Sequence, residues 1–341
     1  MVNRRLFANA RALRTWSLRC VMVAAVWPAS ALAASDIPLA EGTVVRFADV
    51  RDGIEALTRR DDYIKRMSPF DRQVRLRTDR DVSEDELVAF VAGHVVPWTG
   101  ADIEKLTPLV EELARKIAPW KLKLPPVVLL VKTTGREEGG AAYCRGSAIV
   151  LPQNMVDGGK LARILPHELF HVLSSHNPKL RDALYATIGF QPSNEVQLPE
   201  PLRARKITNP DAPVIKHYIT VTRGGRQIQL VPVLFSKTPG YDPARGGSLF
   251  TYLTFKLMAV ENAGGEWRPV LDAGNPVLWD PDDVPGYHEQ VGRNTRYIIH
   301  PEEILADNFV FLLDGRIEVP TPRVLEKMGE VLQAASGENH E

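Results

Sequence analysis

The chain has 341 residues, of which 44% are hydrophobic and 25% are charged, so it can bury the core of one or two domains. Its 42 basic side chains balance 42 acidic ones, and they form no basic, aromatic-rich cluster of the kind that binds nucleic acid. The sequence has no internal repeat and no long low-complexity tract, which excludes a solenoid and a largely disordered chain. We therefore expect a globular protein that has no nucleic acid as a partner.

Residues 1–33 have the features of a secretory signal peptide. Five arginines and no acidic residue lie in this stretch, an apolar run extends from Cys20 to Trp27, and Ala31-Leu32-Ala33 fits the small-residue cleavage pattern. The apolar run is too short for a stable membrane span. We expect cleavage after Ala33 and export, to the periplasm or out of the cell, with no membrane span afterwards. The cleaved chain would keep 37 basic and 42 acidic side chains, and its one cysteine, Cys144, excludes an internal disulfide.

Helical and strand patterns alternate in the first half of the remaining chain. Residues 34–82 carry many charges of both signs and form either a small N-terminal segment or a pro-segment, and the sequence leaves both open. In residues 83–205, Ser83 and Glu86 form a capping box that opens a helix. Apolar spacing then predicts further elements. We expect helices over about 83–96, 102–118 and 179–188, and strands over 127–131 and 148–151.

The second half begins with a segment of different character. Residues 206–275 have the alternation of β structure, with hairpin turns at Gly224-Gly225 and at Gly264-Gly265. Residues 276–341 are again helical, with one helix starting at Pro301 and a last one starting near Pro322. The pattern as a whole predicts an α+β fold in which a β-rich insertion separates two helical regions.

The segment PHELFHVLSSH, at 166–176, carries the main chemical signal. His167 and His171 are four residues apart, so on a helix their imidazoles project from one face and can share a metal ion. Glu168 lies about 100° further round, where it can reach a water on that metal without being a ligand. Apolar residues occupy the opposite face and are expected to face a core. They are Leu165, Leu169, Val172 and Leu173.

Two histidines do not complete a catalytic zinc site, which needs a third protein ligand. His176 is nearest in sequence, but its place at the end of the predicted helix favours a surface role. Glu303 and Asp307 are four residues apart on the helix that starts at Pro301, so one can bind metal while the other supports a ligand. Glu302 and Glu303 project about 100° apart, so we expect only one of them to face the metal. Glu303 is preferred because it leaves Asp307 one turn further along the same face.

HELFH followed downstream by EILAD resembles the gluzincin clan of zinc metallopeptidases, whose thermolysin-like pattern is HExxH plus ExxxD. The resemblance implies a zincin-like catalytic domain that holds one Zn²⁺ per chain through His167, His171 and Glu303. It also implies that Glu168 is the general base and that Asp307 supports a histidine. The sequence departs from the pattern in two places: Glu303 lies 132 residues after His171, and Pro166 directly precedes the first ligand.

The expected function is hydrolysis of peptide bonds by an exported zinc metallopeptidase, with a peptide or protein as its substrate. A zinc amidohydrolase acting on cell-wall material and a catalytically silent binding or scaffold protein remain as alternatives. Candidate donors to the transition state are Tyr287, His288 and Tyr297, which precede the Glu303 helix. The small residues of GGAAYCRGS, at 139–147, are expected to form an edge strand that pairs with substrate. Cys144 within it is expected to be an inert buried thiol rather than an inhibitory zinc ligand.

Overall fold

A computed structural model describes residues 36–200, 202–316 and 318–337, so the predicted signal peptide lies outside the described residues. Helices and strands are both abundant, which confirms the α+β class. The helices are α1 (Val50–Leu57), α2 (Asp62–Arg66), α3 (Pro69–Leu76), α4 (Glu84–Ala92), α5 (Gly100–Ile117), α6 (Gln153–Asp157), α7 (Leu161–His176), α8 (Pro178–Ala186), α9 (Leu249–Tyr252), α10 (Pro285–Val291), α11 (Pro301–Leu313) and α12 (Pro322–Gly337). The strands are β1 (Ile37–Ala40), β2 (Thr43–Phe47), β3 (Val127–Thr133), β4 (Tyr143–Arg145), β5 (Ala148–Pro152), β6 (Phe190–Pro192), β7 (His217–Arg223), β8 (Arg226–Ser236), β9 (Leu253–Ala263), β10 (Glu266–Pro269), β11 (Leu271–Asp272), β12 (Asn275–Pro276) and β13 (Leu278–Trp279).

The first sheet has five strands in the order β1-β2-β3-β5-β4. The apolar run predicted as a strand is β3, which lies in the middle and pairs in parallel with both β2 and β5. Strand β4 pairs antiparallel with β5 and forms one edge. The charged N-terminal segment supplies β1 and β2, with Val45 opposite Val128. Loss of residues 37–47 would therefore leave one edge of β3 without backbone partners.

The second sheet has the order β10-β9-β8-β7-β6, with β13 also paired to β9. The β-rich segment supplies β7 to β10, whereas β6 and β13 come from residues on either side of it. Both predicted hairpins are confirmed, since β7 pairs with β8 and β9 with β10 in antiparallel register. The turn residues Gly224 and Gly225 have φ values of 56° and 77°. Both angles are positive. A two-residue turn with positive φ values matches the right-handed twist of the two strands that it joins, and glycine adopts these values without strain.

The capping box predicted for Ser83 and Glu86 is present at the start of α4. The helix ends at Ala92, earlier than the expected 96, because the chain leaves it to bond with the first sheet. The backbone N–H of Val96 donates to the carbonyl of Lys132, and Val95 forms a bridge with Thr133. Tertiary pairing with β3 thus ends a helix whose local sequence could have continued.

Helices α7 and α11 pack against each other and carry the two motifs. All four residues predicted to line the core face of α7 are buried: Leu165, Leu169, Val172 and Leu173. Pro166 lies within α7, which continues without a break through both histidines. One apolar cluster joins Val128 of the first sheet, Phe170 of α7 and Ile219 of the second sheet, so both sheets hold these helices in place. None of the helices within the described residues is long and apolar enough to cross a membrane.

Candidate metal centre

Helices α7 and α11 bring His167, His171 and Glu303 together. One ligand atom from each residue lies within 4.8 Å of those from the other two. Oε2 of Glu303 is 3.3 Å from Nε2 of His167 and 3.7 Å from Nε2 of His171. The histidines are adjacent because four residues make about one helical turn, whereas Glu303 reaches them from the first turn of α11.

The opposite nitrogen of each imidazole faces a carboxylate. Nδ1 of His167 lies 3.3 Å from Oδ1 of Asp307, the partner that the sequence predicted. Nδ1 of His171 lies 3.0 Å from Oε1 of Glu302. A carboxylate on Nδ1 fixes the ring orientation and leaves Nε2 for a metal. Both rings therefore present Nε2 toward Glu303.

Glu302 supports the second histidine. The sequence predicted that only one of Glu302 and Glu303 faces the metal, and it assigned no role to Glu302. In the structure Glu302 is buried, with only 1% of the residue exposed. Besides its contact with His171, its carboxylate accepts hydrogen bonds from Ser174 Oγ, at 2.6 and 2.7 Å, and from the Tyr185 hydroxyl. The His171 ring has its Nδ1 toward Glu302 and its Nε2 toward Glu303. Two neighbouring residues of α11 therefore contact the same ring from two sides.

Three neighbouring side chains hold the carboxylate of Asp307 in place. Its carboxylate accepts hydrogen bonds from the Thr295 hydroxyl and, at 3.1 Å, from Arg163, in addition to the contact with His167. Burial opposes ionisation, but these hydrogen bonds outweigh it and lower the pKa of Asp307 to about 2. Asp307 is therefore ionised at neutral pH and can stabilise a histidine ligand.

The donors suit a zinc ion. Nε2 of His171 is buried and has no hydrogen-bond partner among the described residues, an expensive arrangement unless something binds there. Two imidazole nitrogens and one carboxylate form a donor set that catalytic zinc accepts, with one position left for water. Burial lowers the pKa of His167, but hydrogen bonds to Asp307 and Glu303 raise it to about 9. Without metal, His167 carries a proton at neutral pH, and a metal that binds must displace it.

Glu168 lies beside this donor set but is not part of it. Its side chain lines a cleft of about 320 Å³ together with His167 and Glu303. Burial raises its pKa, although the two histidines act in the opposite direction. A carboxylate whose pKa moves toward neutrality is well suited to accept and return a proton.

The Cys144 thiol lies behind Glu168. It donates to the backbone carbonyl of Glu168, at 3.1 Å, and its Sγ is 3.5 Å from Oε2 of the same residue. Burial and the neighbouring carboxylates raise the pKa of Cys144 well above its usual value, so the thiol stays protonated. Cys144 is not a member of the His167, His171 and Glu303 group.

Two further residues of the site come from the start of the β-rich segment and were not predicted. Nδ2 of Asn209 donates to Oε1 of Glu303, at 2.7 Å, and thereby directs Oε2 toward the histidines. Oδ1 of Asp211 accepts from the backbone N–H of Cys144, at 2.7 Å. The segment is anchored outside the cleft by Thr208, which donates to Asp71. All three contacts join segments far apart in sequence, so no local pattern could have revealed them.

We expect Asn209→Ala to weaken zinc binding by about 10- to 100-fold, as the loss of a residue that orients a ligand does. The reason is that Glu303 loses the bond that fixes its free oxygen. Competition with a chelating indicator measures the affinity. Asn275→Ala is the control, because Asn275 is exposed at the start of β12 and its side chain donates to the Ala273 carbonyl, at 3.5 Å. Equal zinc affinity in both variants would remove Asn209 from the site.

Of the three predicted transition-state donors, the structure places Tyr297 at the cleft. The residue is 41% exposed, but desolvation of its hydroxyl and the nearby carboxylates of Glu303 and Asp211 raise its pKa well above the usual value, so it remains a proton donor. Tyr287 is fully buried and its hydroxyl donates to the Ile298 carbonyl, at 2.8 Å, so the structure does not place it at the cleft.

His288 is the third of these candidates. Its ring lies on α10, where Nε2 is 3.2 Å from Oδ1 of Asp282. Within the described residues, His288 does not line the cleft that contains Glu168. The remaining ligand candidate on α7, His176, is exposed at the end of the helix.

The predicted edge strand lies beside the cleft. Strand β4 is the outer strand of its sheet, and Ala141 and Ala142 line the cleft just before it. The backbone N–H of Cys144 already donates a hydrogen bond to Asp211, so it is not available to a peptide. An extended peptide that pairs with this edge must therefore do so at about 141–142 rather than at Cys144.

No protein-family model, curated protein or solved structure matches this chain. The resemblance to gluzincins thus depends on the two motifs and on the positions of their side chains.

Proposed function

We propose that this protein is an exported zinc-dependent metallopeptidase of the gluzincin type. The single observation that carries the proposal is the arrangement around Glu303. Its Oε2 faces Nε2 of both His167 and His171, while each imidazole has its Nδ1 against a carboxylate. Orientation of both rings toward one point, with a carboxylate as the third donor, is what a catalytic zinc site requires.

His167, His171 and Glu303 would hold the ion. When bound, zinc supplies a Lewis acid that polarises the scissile carbonyl and makes the attacking water more acidic. Glu168 accepts the proton of that water and passes it to the leaving amine. The Tyr297 hydroxyl donates a hydrogen bond to the carbonyl oxygen as negative charge develops there. The β4 edge at Ala141 and Ala142 holds the peptide extended.

The presence of Glu168 as a base favours a catalytic metal site over a purely structural one. Structural zinc sites use four protein ligands, whereas three ligands surround the metal position proposed for this chain. Glu168 lines an open cleft next to them, which a structural site does not require. These features favour a hydrolase over a silent scaffold.

The test is to incubate the purified, zinc-loaded chain with a mixed peptide library and, separately, with purified cell-wall material. We expect new peptide termini by mass spectrometry, loss of cleavage after chelation, and recovery when zinc is restored. Cleavage of wall amide bonds without cleavage of any peptide would favour the amidohydrolase. Failure on both substrates with one zinc bound per chain would contradict hydrolysis.

A further inference from the structure

A second cavity adjoins the cleft that contains Glu168. The two cavities share four lining residues, namely Ala141, Ala142, Asp211 and Tyr297. A peptide bound along the cleft can therefore place a side chain in the second cavity without leaving the protein surface. None of His167, His171 and Glu303 lines the second cavity, which lies between the loop before β4 and residues of the β-rich segment.

The loop before β4 approaches α9 closely beside this cavity. Gly139, in the loop before β4, has φ of 64°, and a Cβ added there would lie 3.2 Å from Cβ of Ser248 and 3.3 Å from Cε2 of Phe250. The loop thus packs directly on α9 and its preceding residue. A glycine suits this contact, because its backbone adopts the positive φ and leaves room for the neighbouring side chains.

The walls are largely apolar. Leucine and isoleucine side chains come from the β-rich segment and the loop before α11: Ile207, Leu234, Leu249, Leu253 and Ile299. The charged residues at this cavity already have partners. Arg75 contacts both oxygens of Glu138, at 2.6 and 3.0 Å, and Asp211 is bonded to the Cys144 N–H.

Two polar side chains elsewhere in the wall are also engaged. Thr208 donates to Asp71 and Asn209 donates to Glu303. A ligand that offers hydrogen-bonding groups or charge would find these partners engaged, and its own groups would lose water without compensation. The cavity therefore favours an aliphatic group.

The size of the cavity indicates which side chains it can hold. Its volume is about 50 Å³. A water-sized group needs about 10 to 15 Å³ of such volume, so the cavity holds roughly three to five heavy atoms. That range matches the side chains of valine, leucine and isoleucine better than an aromatic ring of six or more atoms.

Exposed aromatic surface marks the entrance. Phe250 is 49% exposed and Tyr297 is 41% exposed, and both line this cavity. They are two of the three large hydrophobic residues that are exposed in the parts of the chain that the structure describes; the third is Leu271. Apolar surface concentrated at the mouth of a cleft is typical of a binding site, where a bound chain would cover it.

We propose that this cavity is a specificity subsite that accepts an aliphatic side chain of the peptide substrate, close to the scissile bond. The inference rests on the proposed peptidase function and adds the class of substrate: peptides with valine, leucine or isoleucine near the bond that is cleaved. Leu253 and Leu234 set the size of the accepted side chain. Phe250 and Tyr297 cover its entrance.

The test measures binding separately from turnover, in a zinc-loaded Glu168→Gln background that does not consume the peptide. Calorimetry compares short peptides that are identical except for one residue, which is alanine, valine, leucine, phenylalanine or lysine and is moved through each position. We expect leucine and valine to bind about tenfold or more tightly than alanine or lysine at one position, as a filled apolar pocket does.

Two substitutions change the subsite in opposite directions. Leu253→Phe fills the cavity and should abolish the aliphatic preference, whereas Leu234→Ala enlarges it and should shift the preference toward phenylalanine. Leu271→Phe is the control, because Leu271 is exposed and does not line the cavity. Zinc content and circular dichroism establish that each variant is folded. An aliphatic preference that survives both cavity variants, or no preference at any position, would overturn the subsite.

The outcome separates the two proposals. Cleavage of peptides by the unsubstituted chain with no dependence on side chain would remove the subsite and leave the peptidase. Neither binding nor cleavage of any peptide would remove both.

Discussion

Glu168→Gln should lower the rate of peptide cleavage by about 100- to 10,000-fold, the usual contribution of a general base. Glutamine has nearly the same shape as glutamate but cannot accept the proton of the attacking water at neutral pH. Zinc content should stay at one per chain, because the proposed ligands are His167, His171 and Glu303 and do not include this residue. Initial rates on one cleaved peptide, with metal analysis of the same sample, measure both quantities.

Glu104→Gln is the matched control for that experiment. Glu104 is exposed on α5, outside the cleft that contains Glu168, so the same chemical change there should leave the rate unaltered. A Glu168→Gln variant that is folded, holds zinc and cleaves at the rate of the control would contradict the catalytic role of Glu168. A variant that loses zinc would instead show that Glu168 supports the metal.

The first motif could be read from the sequence because its geometry is local. A spacing of four residues brings two imidazoles onto one helix face, whatever the rest of the fold does. The apolar residues on the other face of α7 fixed its orientation relative to the core, and they are buried as expected. Pro166 did not break the helix, because packing of the apolar face holds its backbone in place.

The second motif could be read only in part. The spacing of Glu303 and Asp307 indicated one face of α11, but the role of Glu302 depends on how α11 crosses α7. The sequence gives no such crossing angle. Asn209 and Asp211 are further from any pattern, because each is positioned by contacts between distant segments. Sequence thus predicts residues that share one helix better than residues that meet from separate elements.

The donor candidates illustrate the same limit. Tyr287, His288 and Tyr297 lie within eleven residues of one another and have similar chemistry. Tyr287 is held in the core by its apolar ring and its bond to Ile298, while His288 binds Asp282. Only the tertiary fold distinguishes a hydroxyl that faces the cleft from one that faces the core.

Removal of a ligand should empty the site more completely than removal of any residue behind it. We expect His171→Ala and Glu303→Ala to lose most of the zinc, because two remaining donors cannot close a stable site. Asp307→Ala should weaken affinity by about 10- to 100-fold, since His167 keeps its place on α7 but loses the carboxylate that orients it. His176→Ala, at an exposed position on the same helix, should bind zinc normally. Metal titrations across these four variants rank the residues.

Glu302→Ala separates support of the metal from support of the fold. The sequence assigned no role to Glu302, but its buried carboxylate binds His171, Ser174 and Tyr185. Its removal should therefore weaken zinc binding by about 10- to 100-fold. It should also lower the free energy of unfolding of the metal-free chain, by about 1 to 3 kcal/mol for each buried donor left without an acceptor.

Denaturant unfolding in the presence of chelator measures that second effect without any contribution from the metal. His176→Ala should leave the free energy of unfolding unchanged, because His176 is exposed. If Glu302→Ala empties the site as fully as Glu303→Ala yet leaves the metal-free chain as stable as before, Glu302 is the third ligand. If it lowers stability and leaves a weakened but measurable zinc affinity, Glu303 is the ligand and Glu302 orients His171.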